Sequence, residues 1–179
     1  MNYELKHVAG PNGHGNPRTG TAITSILAAL LLLSTGNATA MEISEWRFQT
    51  SLYTKHWSPD SEHVNDQKLI NLEFETTDRW IYGVAFFDNS FGQPSQYLYA
   101  GYSWPIYGTD WAYFKLTGGI LHGYKDPYED KIPLNSLGFA PAIIPTLGLR
   151  YKRVFTELQI AGTAAITVTA GFSFGHQSD

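Results

Sequence analysis

The segment Ala165-Ile-Thr-Val-Thr-Ala-Gly-Phe-Ser-Phe174 alternates without a break, and this constrains the fold more than any other feature of the chain. In an extended strand Ile166, Val168, Ala170, Phe172 and Phe174 share one face, and Thr167, Thr169, Gly171 and Ser173 share the other. A period of two with one apolar and one polar face is a β-strand signal. In a soluble protein the apolar face would meet a core. In a closed membrane barrel it meets lipid, and the small polar face lines the lumen.

Seven other segments repeat the pattern. In 46–55, Trp46, Phe48 and Leu52 oppose Arg47, Gln49, Ser51 and Tyr53. In 69–76, Ile70, Leu72 and Phe74 oppose Asn71, Glu73 and Glu75. Segment 80–88 puts Trp80, Tyr82, Val84 and Phe86 on one side, and 97–104 sets Leu98, Ala100, Tyr102 and Trp104 against Tyr97, Tyr99, Gly101 and Ser103. Segments 111–122, 139–151 and 154–160 bring the total to eight, an even number as closure in a bacterial barrel requires. Connections 57–68, 89–96 and 123–138 are long, whereas 77–79, 105–110 and 152–153 are short. This is the asymmetry of external loops and periplasmic turns. Trp46, Trp80, Trp104, Trp111 and Tyr151 sit at strand ends, as aromatic girdles do. The expected fold is therefore all-β: an eight-stranded antiparallel transmembrane β-barrel of the outer membrane. The competing expectation is a secreted lipocalin-like barrel with a dry interior.

Residues 1–40 are expected to be a cleaved signal peptide. Lys6 and Arg18 supply positive charge, 22–33 is a short apolar run, and Ala38-Thr39-Ala40 is an A-x-A cleavage signal. The Gly/Pro/Asn-rich stretch 10–20 is compatible with a translation start after Met1. The remainder, 41–179, is expected to form one barrel domain, a monomer exported to the Gram-negative outer membrane. The chain has no cysteine, so no disulfide or thiolate metal site is available. A net charge of −4 without a basic run argues against nucleic acid as a partner.

Strand parity places the ends of the first and third strands on the same external rim. His56 ends one, and Asp88, Asn89 and Ser90 end the other. An imidazole can take a proton near neutral pH, a hydroxyl can attack, and a carboxylate can orient the ring. The plain alternative is a set of ordinary polar loop residues beside a rim histidine. His63 lies in a loop rich in Asp and Asn, and His122 is a second rim histidine. Asp126, Glu129 and Asp130 could gather a cation but match no metal motif, so neither metal nor cofactor is expected. Inside, Gly83 and Gly101 beside Tyr97 and Tyr99 suggest a narrow slot, and eight strands leave room for side chains or one slim ligand. An acyl chain is such a ligand. Pro133, Pro141 and Pro145 cannot donate ladder hydrogen bonds and could open a gap around the sixth strand; Pro94 fits a gap or simple strand termination equally well.

These residues resemble, in order and spacing, the lipid A palmitoyltransferase (PagP) family over most of the mature chain. The resemblance is carried by His56 followed by Asn65-Asp66, by Phe86-Phe87-Asp88-Asn89-Ser90, by Ala100-Gly101-Tyr102-Ser103-Trp104, and by Ile132-Pro133-Leu134 before the proline-containing strand. It implies an eight-stranded barrel moving a palmitoyl chain from a phospholipid donor to a lipid A acceptor at the outer leaflet, without cofactor. It also implies catalytic roles for His56, Asp88 and Ser90. Asn89 is extra relative to the family pattern, so Asn89 or Ser90 could stand for the family serine, and Asn89 could serve a developing oxyanion. Gly101 and Ser103 fall in the strand that contributes the family's hydrocarbon ruler, with Ser103 where the family has a floor glycine. The enterobacterial members' amphipathic helix before the first strand has no room in 41–45. Two competing functions are a non-enzymatic small barrel and another outer-membrane lipid hydrolase. The deacylase His-x-Ser is not matched, since Tyr124 stands two past His122.

Overall fold

A computed structural model describes residues 41–57, 68–162 and 164–175. The expected targeting segment, His63 and the Asn65-Asp66 pair lie outside the described residues. Eight strands, β1 (Ile43–His56), β2 (Ile70–Thr76), β3 (Trp80–Asp88), β4 (Pro94–Pro105), β5 (Ala112–His122), β6 (Phe139–Tyr151), β7 (Val154–Ala161) and β8 (Ala165–Gly175), form a closed barrel. Each strand pairs antiparallel with its sequence neighbour, and β8 returns to β1 from Glu45↔Gly175 to His56↔Ala165. Closure leaves no sheet edge, so one chain completes the structure. The largest outward shifts are at two strand starts: β1 begins at Ile43 rather than 46, and β4 at Pro94 rather than 97. Pro94 pairs with Asp88 as the first residue of its strand, where a missing N–H is tolerated.

The barrel is inside-out relative to a soluble fold. Phe48, Leu72, Phe86, Leu98, Leu147 and Phe172 are exposed, while Arg47, Gln49, Glu73, Lys115, Glu157 and Thr169 are buried. Soluble proteins bury the first kind and expose the second. Near the end carrying the short turns the outer wall bears contacting rings. Trp80 meets Tyr102 edge-on at 5.5 Å, Tyr102 meets Trp104 at 4.8 Å, and Trp104 stacks on Phe114 at 5.7 Å.

The buried charges form a belt across the bore. Lys115 Nζ donates to Glu73 Oε2 and Glu157 Oε1, each at 2.8 Å. The two carboxylates are held by the same device. Tyr99 lies over Gly83 on the adjacent strand and donates to Glu73 one strand further on, at 2.8 Å. Tyr113 lies over Gly148 and donates to Glu157, also at 2.8 Å. A Cβ at either glycine would overlap the ring above it, so these positions require glycine for space. Towards the turn end, Arg47 binds Glu45 at 2.5 Å, Glu73 at 3.3 Å and also Glu75, with its guanidinium 5.1 Å from the Tyr113 ring centre.

One irregularity redirects a strand face. Between β1 and β8 the register passes from Ser51↔Thr169 to Tyr53↔Val168, so two steps on β1 match one on β8. A bulge of this kind inserts one residue and switches the side-chain alternation. Before it Arg47 and Gln49 point inward; after it Thr54 and His56 do, at 2% and 7% exposure. Tyr53, expected on the inner face with Ser51, is 58% exposed instead, because unbroken alternation does not survive the extra residue.

Lys115→Met leaves Glu73 and Glu157 buried with their shared cation gone. The expected cost is about 3–5 kcal/mol of stability, read as a lowered urea unfolding midpoint of the detergent-folded barrel. A wild-type midpoint would show that the belt does not hold the barrel together.

Candidate active site

Ser90 is presented by a tight hairpin. Asn89 accepts from the Gly92 N–H at 2.9 Å, donates its own N–H to Gln93 at 2.9 Å, and Gly92 adopts φ 72°. A turn followed by a left-handed glycine is a common short hairpin, and Asn favours its first position. The Asn89 side chain completes it. Its carbonyl oxygen accepts from Phe91 N–H at 2.9 Å and Gln93 N–H at 3.1 Å, and its amide donates to Gln93 Oε1 at 3.3 Å. Asn89 is thus a fully buried turn builder, with its side-chain oxygen and its amide both engaged within the hairpin.

His56, turned inward by the bulge, places Nε2 2.8 Å from Ser90 Oγ. Both residues are 7% exposed. That distance suits proton transfer from the hydroxyl to a neutral imidazole whose other nitrogen carries the hydrogen. The β5–β6 connection closes the site from the opposite side. Phe91 stacks on Tyr128 with ring centres 4.0 Å apart and meets Tyr124 edge-on at 6.2 Å. Gln93 Nε2 donates to the Lys125 carbonyl, and the Lys125 N–H donates back to Gln93 Oε1. Burial pushes the Tyr124 phenol above its usual value, an effect opposed by hydrogen bonding from the side chain and backbone of Ser90.

Ser90 and Tyr124 stand at the mouth of a cavity of about 410 Å³. Its walls include Ala85, Phe87, Leu121, Ile132, Ala142 and Ile144, and its floor is the top of the charged belt, with Asn71, Tyr99, Lys115, Thr146 and Gln159. A mostly apolar pocket of this size with a few convergent polar groups is the usual form of a small-ligand site. The wall beside it is incomplete. β6 pairs with β5 along its whole length but with β7 only from Thr146 to Tyr151. The ladder stops at the residue following Pro145, and Pro141 lies further along; neither proline can donate to a neighbour. The cavity lining includes Pro141 and the 66% exposed Ile143 on one side of this gap, and Gly162 and Ala164 on the other. The cavity therefore reaches the outer surface of the barrel there.

The other expected site residues are placed as follows. Asp88 ends β3 opposite Pro94 in the outward phase, with Trp80 and Phe86, so the fold does not aim its carboxylate into the bore where His56 projects. Gly101 packs against the β5 backbone at Leu116–Thr117 and lines neither cavity. Ser103 is buried but lines the lower cavity with Arg47, Glu75 and Tyr113, on the far side of the belt. The floor of the upper cavity is consequently the belt and not Ser103. His122 lies in the outward phase, its Nδ1 2.7 Å from the Gly138 carbonyl oxygen and its ring 4.7 Å from Phe139. Asp126, Glu129 and Asp130 are exposed. Tyr124 was not anticipated. No periodicity marks it, because it follows the strand and is positioned by contacts with Phe91 and Asn135.

No protein-family model matches the chain, and no curated protein matches it.

Asn89→Ala removes an acceptor from two half-buried N–H groups and is expected to cost about 1–3 kcal/mol. Asn89→Asp, which keeps the acceptor, should retain most of the stability. Urea unfolding of both variants checks this; equal losses would mean that the side-chain oxygen does not build the turn.

Proposed function

We propose that this protein is an outer-membrane acyltransferase that moves a palmitoyl or similar chain from a glycerophospholipid to lipid A. The observation that carries the reading is the His56–Ser90 pair, 2.8 Å apart, whose serine borders an apolar cavity that opens through the barrel wall. A soluble ester substrate would need no sideways entrance. A phospholipid needs one, because its chains lie in the hydrocarbon layer beside the wall.

Membrane insertion is supported by the exposed apolar residues on all eight strands and by the outer ring contacts near the turn end. A lipocalin-like barrel would carry the reverse polarity, a greasy bore and a polar exterior. The export signal expected in 1–40 fits the same destination. A non-enzymatic barrel leaves unexplained why a histidine and a serine are brought together, buried, beside an apolar pocket.

In this reading the acyl chain fills the cavity and stops above Lys115, and its ester carbonyl comes to rest beside Ser90. His56 accepts the proton of the attacking hydroxyl, that of Ser90 or of the lipid A acceptor, and returns it to the departing glycerol oxygen. Asp88, expected as the third member of the set, ends β3 two residues before Ser90 on the same rim. When the lipid A hydroxyl attacks, ester exchange is balanced by these transfers alone. When Ser90 attacks, a second cycle follows: the lipid A hydroxyl attacks the acyl-Ser90 ester, His56 takes its proton, and the departing Ser90 oxygen takes that proton back. Water in the acceptor's place would release a free fatty acid, so the same pair could serve a hydrolase.

The test is mass spectrometry of lipid A from Gram-negative cells producing the wild type, His56→Ala or Ser90→Ala. The wild type should add one acyl chain, and each variant should reduce that product by about 100-fold or more. Release of free fatty acid with unmodified lipid A would favour hydrolysis. Neither product from a folded, membrane-inserted barrel would sink both enzymatic readings.

A further inference from the structure

Among the described residues, the lining of the upper cavity holds two charged side chains, Lys115 and Lys131, and no carboxylate. Lys115 lies in the floor and is neutralised by Glu73 and Glu157. Lys131 is exposed and stands in the β5–β6 connection. That connection carries Lys125, Asp126, Glu129, Asp130 and Lys131, and of these only Lys131 borders the cavity. Its ammonium group makes no ion pair or hydrogen bond with a described residue, although two carboxylates directly precede it in the chain.

The backbone beneath this cation is tied to the hairpin that carries Ser90. The Lys131 N–H donates to the Tyr128 carbonyl at 3.1 Å, the Tyr128 ring stacks on Phe91 at 4.0 Å, and Phe91 directly follows Ser90. On its other side Ile132 packs against the cluster of Ile81, Ala85, Tyr97, Tyr99 and Leu121. Asn135, itself buried, donates from Nδ2 to the carbonyls of Tyr124 and Glu129, each at 3.0 Å. The main chain at Lys131 is therefore held in place, while its flexible four-carbon stem leaves the ammonium free to sweep the cavity mouth.

We infer that Lys131 binds a lipid phosphate, that of the glycerophospholipid acyl donor. This deepens the acyl-transfer reading and rests on it for the placement of the ester beside Ser90. With the chain in the cavity and the carbonyl at Ser90, the short glycerol arm leaves through the mouth and carries its phosphodiester past the bordering residues. The unesterified phosphate oxygens are charged acceptors, and an ammonium is a compact cation with donors only. Their pairing is a charge-assisted hydrogen bond. No carboxylate in the described lining repels the phosphate there, and Asp126, Glu129 and Asp130 are exposed, where solvent and salt screen them. Lys131 meets the phosphate and not the reacting bond, so it acts on donor binding and leaves the chemical step to His56 and Ser90. It thereby separates a phospholipid from a diacylglycerol that carries the same chains and the same ester.

The experiment folds the full chain, Lys131→Met and Lys131→Arg in detergent and offers each dipalmitoyl phosphatidylglycerol or dipalmitoylglycerol. Retained lipid is read by native mass spectrometry. The wild type and Lys131→Arg should prefer the phospholipid by about fivefold, and Lys131→Met should lose that preference. Added salt should weaken it in the wild type. In mixed micelles with lipid A as acceptor, Lys131→Met should raise the KM for phosphatidylglycerol about fivefold while kcat stays within about twofold. The same lipid preference in wild type and Lys131→Met overturns the inference. A lowered kcat at unchanged KM also overturns it, and so does a raised KM for lipid A alone, which would move Lys131 to the acceptor's phosphate. A barrel that keeps the Lys131-dependent preference but acylates nothing leaves the phosphate site standing and sinks acyl transfer alone.

Discussion

Lys115, held between Glu73 and Glu157 in the middle of the bore, is the interaction on which the rest of the structure depends. Each group alone would be costly to bury, and the arrangement is tolerable only because each finds charged and hydrogen-bonding partners at once. Its geometry sets requirements several strands away. Tyr99 and Tyr113 must reach over their neighbours to hold the carboxylates, so positions 83 and 148 cannot carry a side chain. The belt also divides the interior. Polar and charged side chains line a cavity in the half near the turns, and the other half is an apolar pocket with a charged floor.

Above that floor, His56 and Ser90 meet through two local departures from regular strand structure. One extra residue in β1 turns His56 from the outer face to the inner. A short hairpin organised by Asn89 places Ser90 opposite it. Neither device is catalytic, yet the 2.8 Å contact depends on both. The gap between β6 and β7 adds a third departure. There the missing N–H groups of two prolines, a weakness in any other sheet, leave the pocket open to the side.

Much of this could be read directly from the residues. Strands β3 and β6 begin and end where their alternation and flanking turns say, because an inside-out barrel places opposite polarity on the two faces of every strand. The long and short connections were also legible, as was the rim shared by His56 and Ser90. Tyr53 was misread because a bulge leaves no mark in a pattern of polar and apolar letters. The choice between Asn89 and Ser90 was open for a similar reason. Both are small polar residues at a strand end, and only the folded chain shows that Asn89 bonds within its turn while Ser90 meets His56.

By itself the sequence determined the number of strands, their direction and, on the five most regular strands, the inward or outward sense of most side chains. Those properties follow from a period of two and from the need to pair every backbone group in a closed sheet. Only the tertiary structure decided which inward residues touch. Lys115 and Glu157 are 42 residues apart, and His56 and Ser90 are 34 apart. Contacts over such separations depend on strand stagger and barrel closure, which are properties of all eight strands together and of no single segment.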